Sequence, residues 1–276
     1  MSLFNISQKI NFAKSFVLKK NPLYVQFYIT ARCNLACQQC NIIYADAKHQ
    51  EMSIEEINQV AENLKQIGVN IVLLIGGEPF VRKDIHEIVK AFTSRNIHVR
   101  MQTNGIANES QLKKCVENGG KDISISLDTL KPQLQDEING GFNKSWARAL
   151  NTISMVSNIF PEGSTAFFNS VIMPKNLKEI INVIKFATKI GWGVSLVPVH
   201  VSSPDKPMGY RTLDYDNNVT FNDEYVDDIK KLISTLKNIK KNYNLYDSEE
   251  YIEDIENFLL NKPVKWREKN NNVCDS

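Results

Sequence analysis

The chain has 276 residues, a formal net charge of +2 at neutral pH, 42% apolar residues and 23% charged residues. These are the proportions of an ordinary globular protein, long enough for one large α/β barrel or two ordinary domains. The small net charge gives no electrostatic footprint for nucleic acid, and no apolar run reaches the length that crosses a bilayer, so neither partner is indicated.

In chain order, residues 1–21 (MSLFNISQKINFAKSFVLKK and Asn21) lack the apolar stretch and small-residue cleavage site of a secretory signal. They read as a short basic amphipathic helix or arm. A cytoplasmic location is therefore expected, where closely spaced thiols bind metal or do redox work more often than they form disulfides. The β-branched and aromatic stretch at 24–30 predicts a first strand. ARCNLACQQC (31–40) follows, placing Cys33, Cys37 and Cys40 in one loop of a chain with five cysteines. Residues 53–68 predict a helix. Ser53 and Glu56 form a capping box, Ile54, Ile57, Val60, Leu64 and Ile67 share a face, and Gly68 is the stop.

NIVLLI (70–75) reads as a strand buried on both faces and runs into Gly76-Gly77-Glu78-Pro79. A helix capped by Asp84 and Glu87 is expected next, then a strand at 97–103 ending at Asn104-Gly105. A short helix at 108–117 and a strand at 122–127 ending at Asp128 follow. Residues 143–159 predict a helix, 164–173 a strand, 176–191 a helix capped by Asn176, and 193–199 a sixth strand. Strands alternating with helices imply a parallel sheet with right-handed crossovers. The predicted fold is α/β, a partial (β/α)6 TIM-type barrel over residues 22–201. Residues 202–276 read as a linker followed by a helical C-terminal extension, with helices near 223–241 and 248–261.

The unusual residues fall where strands end: the cysteines after the first, Gly76 to Pro79 after the second, Thr103 and Asn104 after the third, Ser126 and Asp128 after the fourth, Pro198 and His200 after the sixth. In a parallel barrel those ends share one rim, the rim where sites form. Three thiolates fall one short of a closed zinc site or a fully protein-ligated iron–sulfur cube. An open metal position is a place for a small molecule. A Cys3His zinc site completed by His49 is the alternative for the same cysteines.

Cys33-x3-Cys37-x2-Cys40 after a first strand resembles the signature of the radical S-adenosylmethionine superfamily. Gly76-Gly77-Glu78-Pro79, Thr103-Asn104-Gly105 and the SISLD stretch at 124–128 resemble further motifs of that family, in order and in strand context. The resemblance implies a 4Fe–4S cluster on Cys33, Cys37 and Cys40, whose unligated iron is chelated by the amino and carboxylate groups of S-adenosylmethionine. It implies that Gly76, Gly77, Glu78 and Pro79 meet the methionine amino group, and that Thr103 and Asn104, with Ser126 and Asp128, reach its carboxylate and the ribose. It further implies backbone contacts to adenine from Val197, Pro198 and Val199. Gln39 stands where the family usually has an aromatic residue, at a contact made partly through main chain. The implied activity is reductive cleavage of S-adenosylmethionine to a 5′-deoxyadenosyl radical that abstracts hydrogen from a small-molecule or peptide substrate. A flavodoxin- or ferredoxin-type one-electron reductant would be the partner.

On the substrate side the sequence offers only His200, at the rim, and Arg211, with Arg82 and Tyr210 as further candidates. Residues 246–262 followed by Cys274 resemble what precedes the auxiliary-cluster domain of SPASM- or twitch-type members, so an auxiliary iron–sulfur cluster near Cys274 is expected if the chain continues beyond Ser276. The competing reading is a non-catalytic metal- or partner-binding module that keeps the barrel with a structural zinc or a degenerate cluster.

Overall fold

The computed structural model describes residues 4, 6–18, 22–40, 48, 50–200 and 219–264. His49, Tyr210, Arg211 and Cys274 lie outside the described residues. Six strands, β1 (Tyr24–Thr30), β2 (Ile71–Gly76), β3 (His98–Thr103), β4 (Asp122–Ser126), β5 (Thr165–Ile172) and β6 (Gly193–Pro198), form one sheet in the order β1-β2-β3-β4-β5-β6. Every neighbouring pair is parallel. Each strand lies beside its predecessor, as successive crossovers of one hand require, and the sheet curls into an open, partial barrel.

The two faces differ in chemistry because side chains alternate along each strand. Val72, Leu74, Val99, Met101, Ile123, Ile125, Phe168, Val194 and Leu196 on the outer face are buried under the crossover helices. These are α2 (Ile54–Gln66), α3 (Ile85–Thr93), α4 (Glu109–Glu117), α5 (Pro132–Ile138), α6 (Ser145–Ile159) and α7 (Ile180–Lys189). The inner face is mixed: Gln26, Arg100, Gln102, Ser124, Asn169 and Ser195, beside Leu73, Ile75 and Phe167, line a cavity of about 380 Å³ inside the barrel. Its far end is braced by Asp122, which takes a hydrogen bond from Arg100 Nε (3.2 Å) and meets His98 Nε2 (3.1 Å). The Arg100 guanidinium stacks on the Phe167 ring at 3.9 Å.

The capping box of Ser53 and Glu56 is formed as predicted, each side chain bonding the other's backbone N–H. Three local expectations are corrected. Asp84 stands at the N-cap of α3 but makes no side-chain cap, because its carboxylate is taken by Arg82. The helix expected at 176 starts at Ile180. Asn176 is instead a buried cross-link: Oδ1 accepts from Met173 N (2.8 Å), and Nδ2 donates to Val171 O (2.7 Å) and Asp128 O (2.9 Å). Helix α5 has no counterpart among the predicted elements, since its seven residues PQLQDEI carry only one i,i+4 apolar pair, Leu134 and Ile138, too little for a helical period to show.

Helix α1 (Ile6–Leu18) precedes the barrel, and α8 (Val226–Ile239) and α9 (Glu249–Leu259) follow it. Ile229, Leu232, Ile233, Leu236, Ile252, Ile255 and Leu259 belong to the same buried apolar cluster as the sheet, so α8 and α9 share the barrel's core. Between them, residues 244–246 run along the free edge of β6. Val194 N donates to Asn244 O (2.8 Å) and Tyr246 N to Val194 O (2.9 Å). Asp247 completes the seal, accepting from Leu196 N (2.7 Å) and Ser195 Oγ (3.0 Å). An otherwise bare edge is thereby covered. No helix among the described residues is long and apolar enough to cross a membrane.

Burial pushes the Asp247 carboxyl up from its ordinary 3.8 to about 6. A carboxyl raised on folding favours the native state in its protonated form, so its contribution is present below about pH 4 and lost as pH rises through about 6. Asp247→Asn retains an acceptor for Leu196 N and removes the titration. Subtracting the urea-denaturation profile of Asp247→Asn from that of the native chain is expected to reveal a loss of up to about 3 kcal/mol between pH 4 and 7. A flat difference would contradict the burial of this carboxylate.

Candidate active site

The cysteine loop leaves β1 at Thr30 and is gripped from two sides by backbone. On one side, Gly77 N donates to Thr30 O (2.9 Å) and Glu78 N to Arg32 O (2.8 Å). A Cβ at Gly77 would stand 2.2 Å from Arg32 O, so only glycine permits this approach. On the other side, Gln38 N donates to Ile138 O at the end of α5 (2.9 Å). There Gly140, at φ +82°, passes so close that a Cβ would lie 2.3 Å from Ala36 O. Leu35 is buried beneath the loop.

Ion pairs hold the loop's outer flank. Arg32 makes two bonds to Glu51, Nε–Oε1 at 2.8 Å and Nη2–Oε2 at 2.9 Å, and Thr30 Oγ1 also donates to Glu51. The Arg32 guanidinium holds the Glu51 carboxyl below the usual carboxylate range. Arg82, placed on the substrate side by the sequence, is 4% exposed and fully engaged as a brace. It donates to Ile29 O (3.1 Å), Met52 O (3.0 Å) and Asp84.

Within this frame Cys33, Cys37 and Cys40 face one cavity of about 280 Å³, together with Gln39, Gly76, Gly77, Glu78, Pro79, Thr103, Asn104, Ser126 and Asp128. The cavity shares Ile75, Gly76 and Gln102 with the barrel interior. Burial pushes the Cys33 and Cys37 thiols up. Their conversion to thiolates thus needs the compensation that metal ligation gives. Cys115 is on the buried face of α4, its thiol pushed by burial to about 12, in line with a structural role.

Two carboxyls sit fully buried around the same cavity. Glu78 Oε1 accepts from Phe80 N (3.0 Å) and Oε2 from Asn104 N (2.6 Å), so one side chain ties the turn after β2 to the end of β3. Burial nonetheless raises Glu78 to about 7. Asp128 Oδ1 accepts from Val171 N (2.7 Å), Oδ2 faces Gln39 Nε2 at 3.5 Å, and burial raises the group to about 6. Gln39 Oε1 is buried without a partner. Each carboxylate keeps acceptor capacity beyond its backbone bonds.

The residues at the end of β6 are not among those lining this cavity. Val197 and Pro198 pair with Val171 and Ile172 in the sheet, and Val199 N is used by Ile172 O (3.1 Å). Val199 and His200 line a separate cavity of about 810 Å³ beside Phe221 and the C-terminal end of α9. The His200 ring meets Phe258 at 4.9 Å. The structure also brings to the thiols a residue that the sequence pattern does not single out. Asn139 Oδ1 lies 3.5 Å from Cys37 Sγ. The signal for it is the helix stop Asn139-Gly140-Gly141, which has no meaning until α5 is recognised.

The donor set fits the cofactors implied by the motif. Among the described residues no three His, Cys, Asp or Glu side chains converge closely enough to hold a single metal ion. Three thiols instead surround a cavity large enough for a multi-atom group, with buried acceptors beside them. Soft thiolates suit iron–sulfur chemistry, and the carboxylates suit a cationic, hydrogen-bonding small molecule.

Open parallel barrel, thiol-bearing loop after the first strand and glycine-walled cavity together mark a candidate cofactor site at the strand C-termini. The sequence model of the Radical SAM superfamily matches residues 27–187, and the chain belongs to that superfamily. Among curated relatives, a probable GTP 3′,8-cyclase of Methanocaldococcus jannaschii is 30% identical over 165 residues, 59% of this chain and 54% of that protein. A GTP 3′,8-cyclase of Peptoclostridium acidaminophilum is 34% identical over 123 residues, 43% of this chain and 38% of that protein. The chain thus spans about half the length, or less, of these relatives. Among solved structures, Streptococcus suis SuiB bound to S-adenosylmethionine superposes with a TM-score of 0.63 at 19% identity, covering 86% of this chain and 53% of that one. Native anSMEcpe with bound AdoMet superposes with a TM-score of 0.61 at 16% identity, covering 87% and 67%. These likenesses establish the shared fold.

The two adjacent glycines after α5 give a matched test of the grip on the cysteine loop. A Cβ at Gly141, at φ +78°, would have nothing within 4 Å, whereas one at Gly140 would meet the Ala36 carbonyl. Gly141→Ala is expected to cost about 1 kcal/mol for its left-handed backbone. Gly140→Ala is expected to cost a further 1–3 kcal/mol, roughly, from overpacking. Urea-denaturation midpoints measure both, and equal losses would contradict the close approach.

Proposed function

We propose that this chain is a radical S-adenosylmethionine enzyme whose cluster is held by Cys33, Cys37 and Cys40. The observation that carries the reading is the meeting of three thiols from one loop with the buried carboxyls of Glu78 and Asp128 around a single cavity. When bound, the cluster and S-adenosylmethionine supply an electron to the sulfonium and a 5′-deoxyadenosyl radical that takes hydrogen from a substrate.

The chain's own residues bind, orient and seal. Glu78 offers a negative charge to the methionine ammonium in a site shielded from water, where such a pair is strong. Its two backbone bonds fix the carboxylate in place before ligand arrives. Gly76 and Gly77 let main chain close over the ligand, and Asp128 with Gln39 presents acceptors to hydroxyl or amino donors. The inner face of the barrel, open to this cavity, receives the substrate. Its amides and hydroxyls with one guanidinium suit a polar small molecule or a peptide side chain. The relatives named as GTP 3′,8-cyclases favour a nucleotide, while SuiB, solved with its precursor peptide SuiA, favours a peptide. Cytoplasmic location and a flavodoxin- or ferredoxin-type electron donor complete the proposal.

Anaerobic reconstitution with iron and sulfide, followed by dithionite and S-adenosylmethionine, is expected to yield 5′-deoxyadenosine from the native chain. None is expected from the Cys33→Ala/Cys37→Ala/Cys40→Ala variant. Glu78→Gln is expected to weaken S-adenosylmethionine binding about 10–100-fold in equilibrium dialysis, the scale of one buried charge-assisted bond. Purification with one zinc and no sulfide, or equal product from the triple variant, would overturn the assignment.

A further inference from the structure

The sulfurs of Cys37 and Cys33 face side-chain amides of opposite polarity, and hydrogen bonds fix both amides. Gln135, 1% exposed, uses Oε1 to accept from Asp128 N (2.9 Å) and Thr129 N (3.1 Å). Its Nε2 is therefore the end that faces Asn139, and it donates to Asn139 Oδ1 at 3.3 Å. At the other end, Ser145 Oγ donates to Asp136 Oδ1 (2.7 Å), a carboxylate also held by Lys144 N (2.8 Å) and Trp146 N (2.9 Å). Ser145 Oγ can then only accept, and Asn139 Nδ2 donates to it at 2.9 Å. Backbone N–H groups at one end and a carboxylate at the other dictate the orientation of both amides in this chain of bonds. The consequence is that Oδ1, an acceptor, lies 3.5 Å from Cys37 Sγ.

Asn104 has the opposite orientation. Its Oδ1 accepts from Ile106 N (3.0 Å), and its Nδ2 donates to Asn34 Oδ1 (2.7 Å) and lies 3.9 Å from Cys33 Sγ. Leu35 N also donates to Cys33 Sγ, at 3.4 Å. While the thiols carry protons, the Cys37 S–H donates to Asn139. Ligation removes that proton, and the locked carbonyl oxygen remains facing a sulfur that bears negative charge.

We propose that Asn139 and Asn104 tune the cluster in opposite directions: the Asn139 carbonyl dipole at Cys37 lowers its reduction potential, and the Asn104 N–H at Cys33 raises it. The physical basis is that a donor stabilises the extra electron of the reduced cluster and a negative dipole end opposes it. Asn139 is thus a positioning and tuning residue, joined through Gln135 to the main chain at Asp128 on the S-adenosylmethionine side of the cavity. The inference rests on the cysteine loop holding an iron–sulfur cluster, as proposed above.

The test is an EPR-monitored redox titration of reconstituted protein, with iron and sulfide measured on each sample. Asn139→Ala is expected to move the midpoint potential upward, Asn139→Asp to move it downward, and Asn104→Ala to move it downward. Full loading with unchanged midpoints, or shifts of one sign for both Asn139 variants, would overturn the proposal while leaving the cluster assignment intact. So would loss of iron from every Asn139 variant when the native chain loads normally, which would make Asn139 a folding brace. Failure of the native chain itself to take up iron and sulfide would instead overturn the functional reading beneath it.

Discussion

The site depends on a close approach of backbone to backbone. The cysteine loop has no regular structure of its own, so its shape is set by what it touches. Gly77 against Arg32 and Gly140 against Ala36 leave no room for a methyl group on either side. Backbone hydrogen bonds from Gly77, Glu78 and Gln38 hold the loop in that slot. Three thiols are thereby fixed at the mouth of the barrel, where the strand C-termini converge, and Arg32, Glu51 and Arg82 brace the flank outside. The glycines after β2 and after α5 serve the same purpose from opposite sides, although they are far apart in sequence.

Electrostatics at the site runs against the stability of the ligand-free chain. Glu78 and Asp128 are buried carboxyls raised to about 7 and about 6, and burial also raises the Cys33 and Cys37 thiols. Groups that resist ionisation when empty gain most when a cation or a metal arrives, so the tension is concentrated where ligand binding relieves it. The remaining polar residues are tied to backbone atoms. Glu78, Gln135, Asn139 and Asn104 each commit hydrogen bonds to main-chain or locked side-chain partners, which leaves the cavity's acceptors and donors pre-set.

The sheet is legible in the sequence because alternation and burial leave clear marks. DISIS alternates polar and apolar residues since one face meets the barrel interior and the other the helices, while NIVLLI is continuous because its inner residues, Leu73 and Ile75, are also covered. The rim position of the cysteines and of Gly76 to Asp128 follows from strand order. Helix α5 escapes because seven residues with a single apolar pair, Leu134 and Ile138, are too few to show a period, and with it escape Asn139 and Gln135. The double duty of Glu78 is also hidden: the motif suggests a charge for ligand, but the bond to Asn104 N spans 26 residues and no local pattern encodes it. Residue type alone suggests a rim position and a substrate role for Arg82, whereas its partners Ile29 and Met52 come together only on folding. Chemistry written in residue type is readable, and long-range partnership is not.

On the proposed assignment, three protein thiolates leave one iron of a cube for S-adenosylmethionine. Mössbauer spectra of protein reconstituted with iron-57 test it directly, recorded before and after adding S-adenosylmethionine. The signal of one iron in four is expected to shift on addition while the other three stay unchanged. Four equivalent irons that ignore S-adenosylmethionine, or uptake of only a single isolated iron, would contradict it.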